Sequence, residues 1–281
     1  RADSEGGRAA TPGDKPVPVK GDDESACTSD LDCSLNGVCS AGSCSCDRPW
    51  TGASCGVLGF KPVAMPQGYG MVPNRSATWG GNILRENDDR FHLYVSAMTN
   101  DCALGDWSSN SRIEHGVADR PEGPYEFVGV AIPTQAHNSA PLRLHDGSFA
   151  IVHIGSGAGK IDGGRNCTNG SSVLPEKADA GEQKPPPKPK GSRIHVSNSI
   201  AGPWSPLTNE TLPKENCDNP APWQHPNGSL YVACGREIKG NLINLWRAEA
   251  ITGPWTFVTG LNNSFSTPTP RGKKEDVFIY T

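Results

Sequence analysis

The chain has 281 residues, a formal net charge of -4 and 20% charged residues of mixed sign, which leaves no basic face for nucleic acid or an anionic membrane. With 33 Gly, 25 Pro and 35% hydrophobic residues, it suits a turn-rich β protein with one substantial core and a small satellite module. No apolar run approaches the length of a membrane-spanning helix, and a start at Arg1 without Met reads as a processed chain. Ten cysteines, an even number, stand beside six Asn-X-Ser/Thr sequons at Asn74, Asn166, Asn169, Asn209, Asn227 and Asn262. Together they predict a secreted, extracellular, disulfide-bonded and N-glycosylated protein.

Residues 1–26 lack aromatics and are rich in Gly, Pro and charge, so they bury too little apolar surface to order themselves and read as a flexible N-terminal arm. Within them DKPVPVK has the character of a strand that adds to a sheet edge, although a plain tail is the simpler account. Residues 27–56 follow with Cys27, Cys33, Cys39, Cys44, Cys46 and Cys55, separated by five, five, four, one and eight residues. A segment this short cannot build a core and must be held by disulfides, though spacing alone does not choose the pairing. The Cys-X-Cys, the aromatic, the Gly and the last Cys of CSCDRPWTGASC resemble the EGF-like module. That resemblance implies the pairs Cys27 with Cys39, Cys33 with Cys44, and Cys46 with Cys55. Asp22, Asp23 and Glu24 resemble the acidic stretch of calcium-binding members, but SAGS between Cys39 and Cys44 lacks their hydroxylation signature, so calcium is not expected there.

Residues 60–281 repeat a unit. GNILRENDDRFHLYVSA from Gly81, HNSAPLRLHDGSFAIVHIG from His137 and DNPAPWQHPNGSLYVACG from Asp218 each read as strand, polar turn and alternating strand, a β-hairpin signature; EDVFIYT from Glu275 begins the unit again. The outer halves HGVADRPEGPYEFV, HVSNSIAGPWSPL and WRAEAITGPWTFV each carry a strand, a Gly-Pro turn and an aromatic that opens an edge strand. Four strands per repeat follow, with starts separated by 56, 81 and 57 residues. The long interval contains an extra proline-rich tract near 160–190, read as an exposed loop. The expected fold is therefore all-β, an EGF-like disulfide module plus β-propeller blades, about three and the start of a fourth. A β-sandwich and an irregular barrel are the alternatives.

Of the remaining cysteines, Cys217 and Cys234 face each other across the HPNG turn, and Cys102 and Cys167 follow inner hairpins of adjacent repeats, which predicts one bridge within a hairpin and one between blades. No C-x-x-C or histidine cluster accompanies them, so a metal site is not expected. The first residues of the inner strands form a column of Gly81, His137, Asp218 and Glu275, with Asn82, Asn138, Asn219 and Asp276 beside it. In a propeller these positions face the axial funnel; as polar strand starts they serve equally well as turn caps. Trp79, Trp107 and Trp223 are candidate sugar-stacking residues, although an aromatic in a blade is more often core.

WGGN at 79–82, SNSRIEHGVAD at 109–119, HNSAP at 137–141, DNPAP at 218–222, the Glu-Asp pair at 275 and 276 and the three Gly-Pro-aromatic turns resemble the five-bladed propellers related to glycoside hydrolase family 43. The resemblance implies carbohydrate as the partner, with Asp218 as the residue that tunes and orients and Glu275 as general acid. His137, Asn138, Asn219, Asn82, Asp276 and Trp79 would form an axial substrate surface. No cofactor is expected beyond calcium at the propeller axis. The chain departs from that pattern where Gly81 and Asn82 occupy the place of the general base, and at Val277 where the family usually has Pro. An inverting glycosidase needs acid and base carboxylates roughly 6.5 to 9.5 Å apart. Neither Gly nor Asn takes a proton from water, and His137, the one substitute base, is on the wrong repeat.

The first expectation is a non-enzymatic glycoprotein whose degenerate glycosidase-like propeller serves carbohydrate contact or extracellular assembly with copies of itself, as a filament or surface coat. The alternative is a glycoside hydrolase acting on polysaccharide through Glu275. Closure into five blades needs more residues than follow Glu275, so the repeats are expected to be completed by further chain or by another chain.

Overall fold

A computed structural model describes residues 26–59, 71–72, 77–86, 89–168, 171–172, 191–208, 212, 217–238, 241–261 and 279. Nearly all regular structure is β, and the chain divides into two compact units, 1–65 and 66–281. No helix among the described residues is long and apolar enough to cross a membrane. The start of the fourth repeat, including Glu275 and Asp276, most of the proline-rich tract and nearly all of the arm lie outside the described residues, as do Asn74, Asn169, Asn209 and Asn262.

The first unit is held by its sulfurs. Hairpin β1 (Gly37–Ser40) and β2 (Ser43–Cys46) is followed by the two-residue pair β3 (Trp50–Thr51) and β4 (Val57–Leu58). Cys27, Cys33 and Cys55 are buried, with the other three cysteines and Trp50 packed against them. The pairs are Cys27 with Cys39, Cys33 with Cys44 and Cys46 with Cys55, the three that the EGF-like resemblance implies. Asp32 closes the first turn by accepting from the amides of Thr28 at 2.8 Å and Ser29 at 2.9 Å, bonds that hold its carboxyl below the usual carboxylate range.

The second unit carries three successive sheets. In the first, β5 (Met71–Val72) pairs in parallel with the outer edge of a meander of β6 (Thr78–Arg85), β7 (Phe91–Met98), β8 (Ser111–Ala118) and β9 (Tyr125–Ile132). A 3-10 turn at Leu104–Asp106 and the single-turn helix α1 (Trp107–Asn110) sit between β7 and β8. The second sheet runs β10 (His137–Arg143), β11 (Phe149–Ile154), then β14 (Ser192–Ser197) and β15 (Ser205–Pro206), with the small hairpin β12 (Cys167–Thr168) and β13 (Ser171–Ser172) inserted between β11 and β14. The third is β16 (Ala221–Gln224), β17 (Leu230–Ile238), β18 (Asn241–Ala248) and β19 (Thr256–Leu261). Each is the four-stranded antiparallel meander of a propeller blade, and β10 lies between β6 and β16, so the innermost strands gather on one side. The three sheets do not close on themselves.

Burial follows this stacking. Strand β7 alternates, while all six residues of β11 are buried because the middle sheet is covered on both faces. On one face Ile151 joins Tyr94, Ile113, Ile132 and Ala136 of the first junction. On the other, Ala150 and Val152 join Ile194, Leu230, Val232, Ala248 and Trp255 of the second. Cys217 and Cys234 are bonded within the third sheet's inner region, and Cys102 to Cys167 links the loop after β7 to β12. Asn110 reinforces that link: buried, it donates to the Thr99 and Arg165 carbonyls at 3.2 and 2.8 Å and accepts from the Arg165 amide at 3.0 Å.

Candidate functional site

Register between inner strand and neighbour corrects the column read from the sequence. Trp79 pairs with Ser96 and His137 with Ile154, while the Asp218 carbonyl accepts from the Gly235 amide at 2.8 Å. Ser96, Ile154 and Gly235 are each the sixth residue of their strand, so Trp79, and not Gly81, is the counterpart of His137 and Asp218. The companion column becomes Gly80, Asn138 and Asn219, and Asn82 falls level with Ala140 and Ala221. The sequence alignment slipped by two residues because WGGN and HNSAP share an Asn that the backbone does not superpose.

The corrected column has a physical signature. Gly80, Asn138 and Asn219 have φ of +49°, +52° and +48°, the left-handed region, which Gly enters freely and Asn more readily than other side chains. In the first two sheets this residue sits at a register shift of the inner strand, and in the third it precedes the first paired residue, Ala221. Gly80 has a second reason to lack a side chain, since a Cβ there would stand 2.3 Å from Asn138 Oδ1. A Cβ on Gly81 would meet the Tyr94 carbonyl at 2.8 Å.

These residues border an open cleft of about 360 Å³ lined by Gly80, Asn82, Asn138, Asn219, Trp223 and Ile279, together with small and proline residues of β10 and β16. Asn138 donates its side-chain amide to Asn219 Oδ1 at 2.6 Å, and its backbone amide donates to Ser96 Oγ at 2.8 Å. Ser139 Oγ donates to the Tyr94 carbonyl at 2.7 Å. The amide pair is thus tied to all three sheets. Trp223 packs edge-on against His225 and obliquely against Tyr231. Among the described lining residues none carries a charge.

The structure brings Asn82, Asn138, Asn219 and Trp223 to this cleft; Trp79, His137 and Asp218 are not among its lining residues. His137 is buried, its Nδ1 2.9 Å from Ser111 Oγ and its ring stacked on Trp107, and burial lowers its pKa to about 4. Trp107 thus stacks on His137 and is not among the cleft's lining residues. Trp79 is 38% exposed. The SNSRIEHGVAD segment also works inside the fold: Arg112 pairs with Glu114 at 2.6 Å and with Asp162, and His115 stacks on Tyr94. Gly81 of the expected column lines the cleft as well, and Gly80 and the prolines at 141, 220 and 222 line it without having been singled out. A row of Gly and Asn followed by small residues was their signal.

A calcium ion at the axis would call for several oxygen ligands with carboxylates among them. The described cleft residues offer carboxamides and no carboxylate, which does not fit it. The groups of three ligand-type residues found elsewhere, Cys27 with Cys33 and Cys44 and Cys102 with Asp106 and Cys167, rest on disulfide sulfurs.

Fold and site define a disulfide-built module followed by propeller-type sheets with an uncharged, amide-lined cleft. Residues 29–57 match the family model of the Teneurin-like EGF domain. No curated protein sequence matches the chain. Among solved structures, a family 43 enzyme from Xanthomonas citri in complex with xylose is similar at 18% identity and a TM-score of 0.40, covering 65% of this chain and 55% of that one. An exo-β-1,3-galactanase from Phanerochaete chrysosporium with β-1,3-galactotriose is similar at 11% identity and a TM-score of 0.43, covering 66% and 37%. The chain thus spans about half the length of the first and little more than a third of the second.

Proposed function

We propose that this is a secreted glycoprotein whose degenerate glycosidase-like propeller holds a carbohydrate in the amide-lined cleft without cleaving it. The observation that carries this reading is the Asn138–Asn219 pair beside Trp223 in a cleft with no charged side chain among its described residues. A carboxamide offers donors and an acceptor together, which matches sugar hydroxyls, and an aromatic face packs on the C–H face of a pyranose. Hydrolysis needs two carboxyl groups in opposed roles, and the first sheet supplies Trp79 and Gly80 at the position level with Asp218 and Asn219. Secretion is supported by five disulfides with no free cysteine among the described residues and by the exposed sequon residues Asn166 and Asn227.

The test is a titration of the full chain with xylo- and galacto-oligosaccharides, followed through Trp fluorescence and chromatography of the sugars. Saturable binding with intact sugar is the expected result. Release of shorter sugars, abolished by Glu275→Gln, would establish the hydrolase reading instead.

A further inference from the structure

The chain has seven histidines, and five of them lie on strands of the two sheets that form the first junction. His92 and His115 come from β7 and β8, and His137, His153 and His195 from β10, β11 and β14; all five are buried. Pleating puts His92 on the face of β7 that carries Tyr94, and His153 on the face of β11 that carries Ile151, both core residues of this junction. Tyr94 crosses it to donate its hydroxyl to the Ile200 carbonyl, and Ser111 crosses it to meet His137. The third sheet contrasts with this arrangement. Every buried titratable side chain among the described residues belongs to the first two sheets, and the second junction is built from apolar residues and Cys217–Cys234.

Four of the histidines form two nitrogen-to-nitrogen hydrogen bonds, His92 Nδ1 with His115 Nε2 and His153 Nε2 with His195 Nδ1, each at 2.9 Å. Their outer partners fix the protons. Glu86 Oε2, 3.1 Å from His92 Nε2, only accepts, so that nitrogen carries hydrogen and His92 Nδ1 accepts from His115. The Ile154 carbonyl, 3.0 Å from His153 Nδ1, likewise leaves His153 Nε2 to accept from His195. Each pair can take one proton with its bond kept, on the donor ring's other nitrogen, His115 Nδ1 or His195 Nε2. A second sets two N–H groups against each other in a buried site.

We infer that the junction of the first and second sheets is an acid-labile seam, opening on acidification while the junction of the second and third sheets stays closed. Burial lowers His115, His137 and His195 to about 4 and His153 to about 3, with His92 adding to the shift of His115 and His195 and Arg193 to that of His153. These values lie below the unfolded histidine value, so the stability they confer is full above about pH 6.5 and is lost as pH falls toward the folded values. Glu86, itself paired with Arg90, is the countercharge at His92. Arg112 and Glu114 lie on β8 and pair with each other, Arg112 also pairs with Asp162, and His137 faces Ser111 and Trp107. Cys102–Cys167 keeps the opened sheets tethered. Since Asn138 hangs from Ser96 of the first sheet, opening also displaces one half of the amide pair at the cleft.

The experiment is hydrogen exchange with mass spectrometry on the full disulfide-bonded chain at pH 7 and pH 5, corrected for the intrinsic pH dependence of exchange. A first sheet that loses its neighbour exposes its ladder, so the opening constant of peptides from 91–98 and 111–118 should rise at least about a hundredfold, the equivalent of two histidines at about tenfold each. Peptides from 230–238 and 241–248 should stay within about threefold. An equal change in both sheets, or none in the first, overturns the inference. His153→Gln, which accepts from His195 without titrating, should reduce the first sheet's response about tenfold, and an unchanged response in the folded variant also overturns it. If that variant does not fold, the wild-type comparison between sheets decides alone.

Discussion

Asn138 reaches from the second sheet to donate its side-chain amide to Asn219 Oδ1 of the third, 2.6 Å away, with both residues in the left-handed backbone region. The bond fixes two carboxamides at the mouth of an uncharged cleft and leaves Asn219 Nδ2 without a hydrogen-bond partner among the described residues. Asn219→Ala removes that donor together with the acceptor of Asn138. Sugar affinity should fall ten- to a hundredfold, with a stability loss of only about 1 kcal/mol, because the bond is half-exposed. Paired calorimetric titration and thermal unfolding separate the two effects.

Gly80 should tolerate no side chain. Alanine there combines a positive φ with a Cβ 2.3 Å from Asn138 Oδ1, and the carboxamide must move. Gly80→Ala is expected to cost about 1–3 kcal/mol and to weaken binding as much as Asn219→Ala does. Gly105, where a Cβ meets nothing within 4 Å, is the control, and Gly105→Ala should be neutral in both measurements.

Tyr94 is fully buried and its hydroxyl joins the first sheet to the Ile200 carbonyl. Tyr94→Phe keeps the ring against His115 and Trp204 and strands that carbonyl, at about 1–2 kcal/mol in denaturant unfolding.

The two disulfides of the second unit close loops of different length, 17 residues for Cys217–Cys234 and 65 for Cys102–Cys167. Chain entropy makes the longer one worth about 4 kcal/mol and the shorter about 3. Replacing each pair with alanine in turn should reproduce that order in unfolding midpoints. A larger loss at Cys217–Cys234 would point instead to its buried packing in the second junction.

Much of the fold is legible in the residues. Cysteine spacing with the EGF-like resemblance gave the three small-module pairs, and the Gly-Pro turns at 123, 202 and 253 mark the outer strand of every sheet. The alternation of FHLYVSAM marks its strand because period-two burial is a local property, whereas FAIVHI, buried throughout, is marked by its place in the repeat. The axial column was less legible. Its alignment depends on backbone register, which a Gly-Gly step at 80 and 81 hides in sequence and a pairing at Trp79–Ser96 reveals. His137 looked like a site residue for the same reason that it is a good buried partner for Ser111: imidazole bonds equally well to a hydroxyl or a ligand, and only packing decides. The histidine pairs were invisible because His92 and His115, or His153 and His195, meet only once their strands are side by side.

The central claim is that the amide pair is the sugar contact, and side-chain amide resonances report on it most directly. In nitrogen-15 spectra of the full chain titrated with a neutral oligosaccharide that it binds, the NH₂ groups of Asn138 and Asn219 should shift together and saturate at the Kd measured calorimetrically. Binding that saturates while both resonances stay in place would contradict the account and put the sugar elsewhere on the molecule.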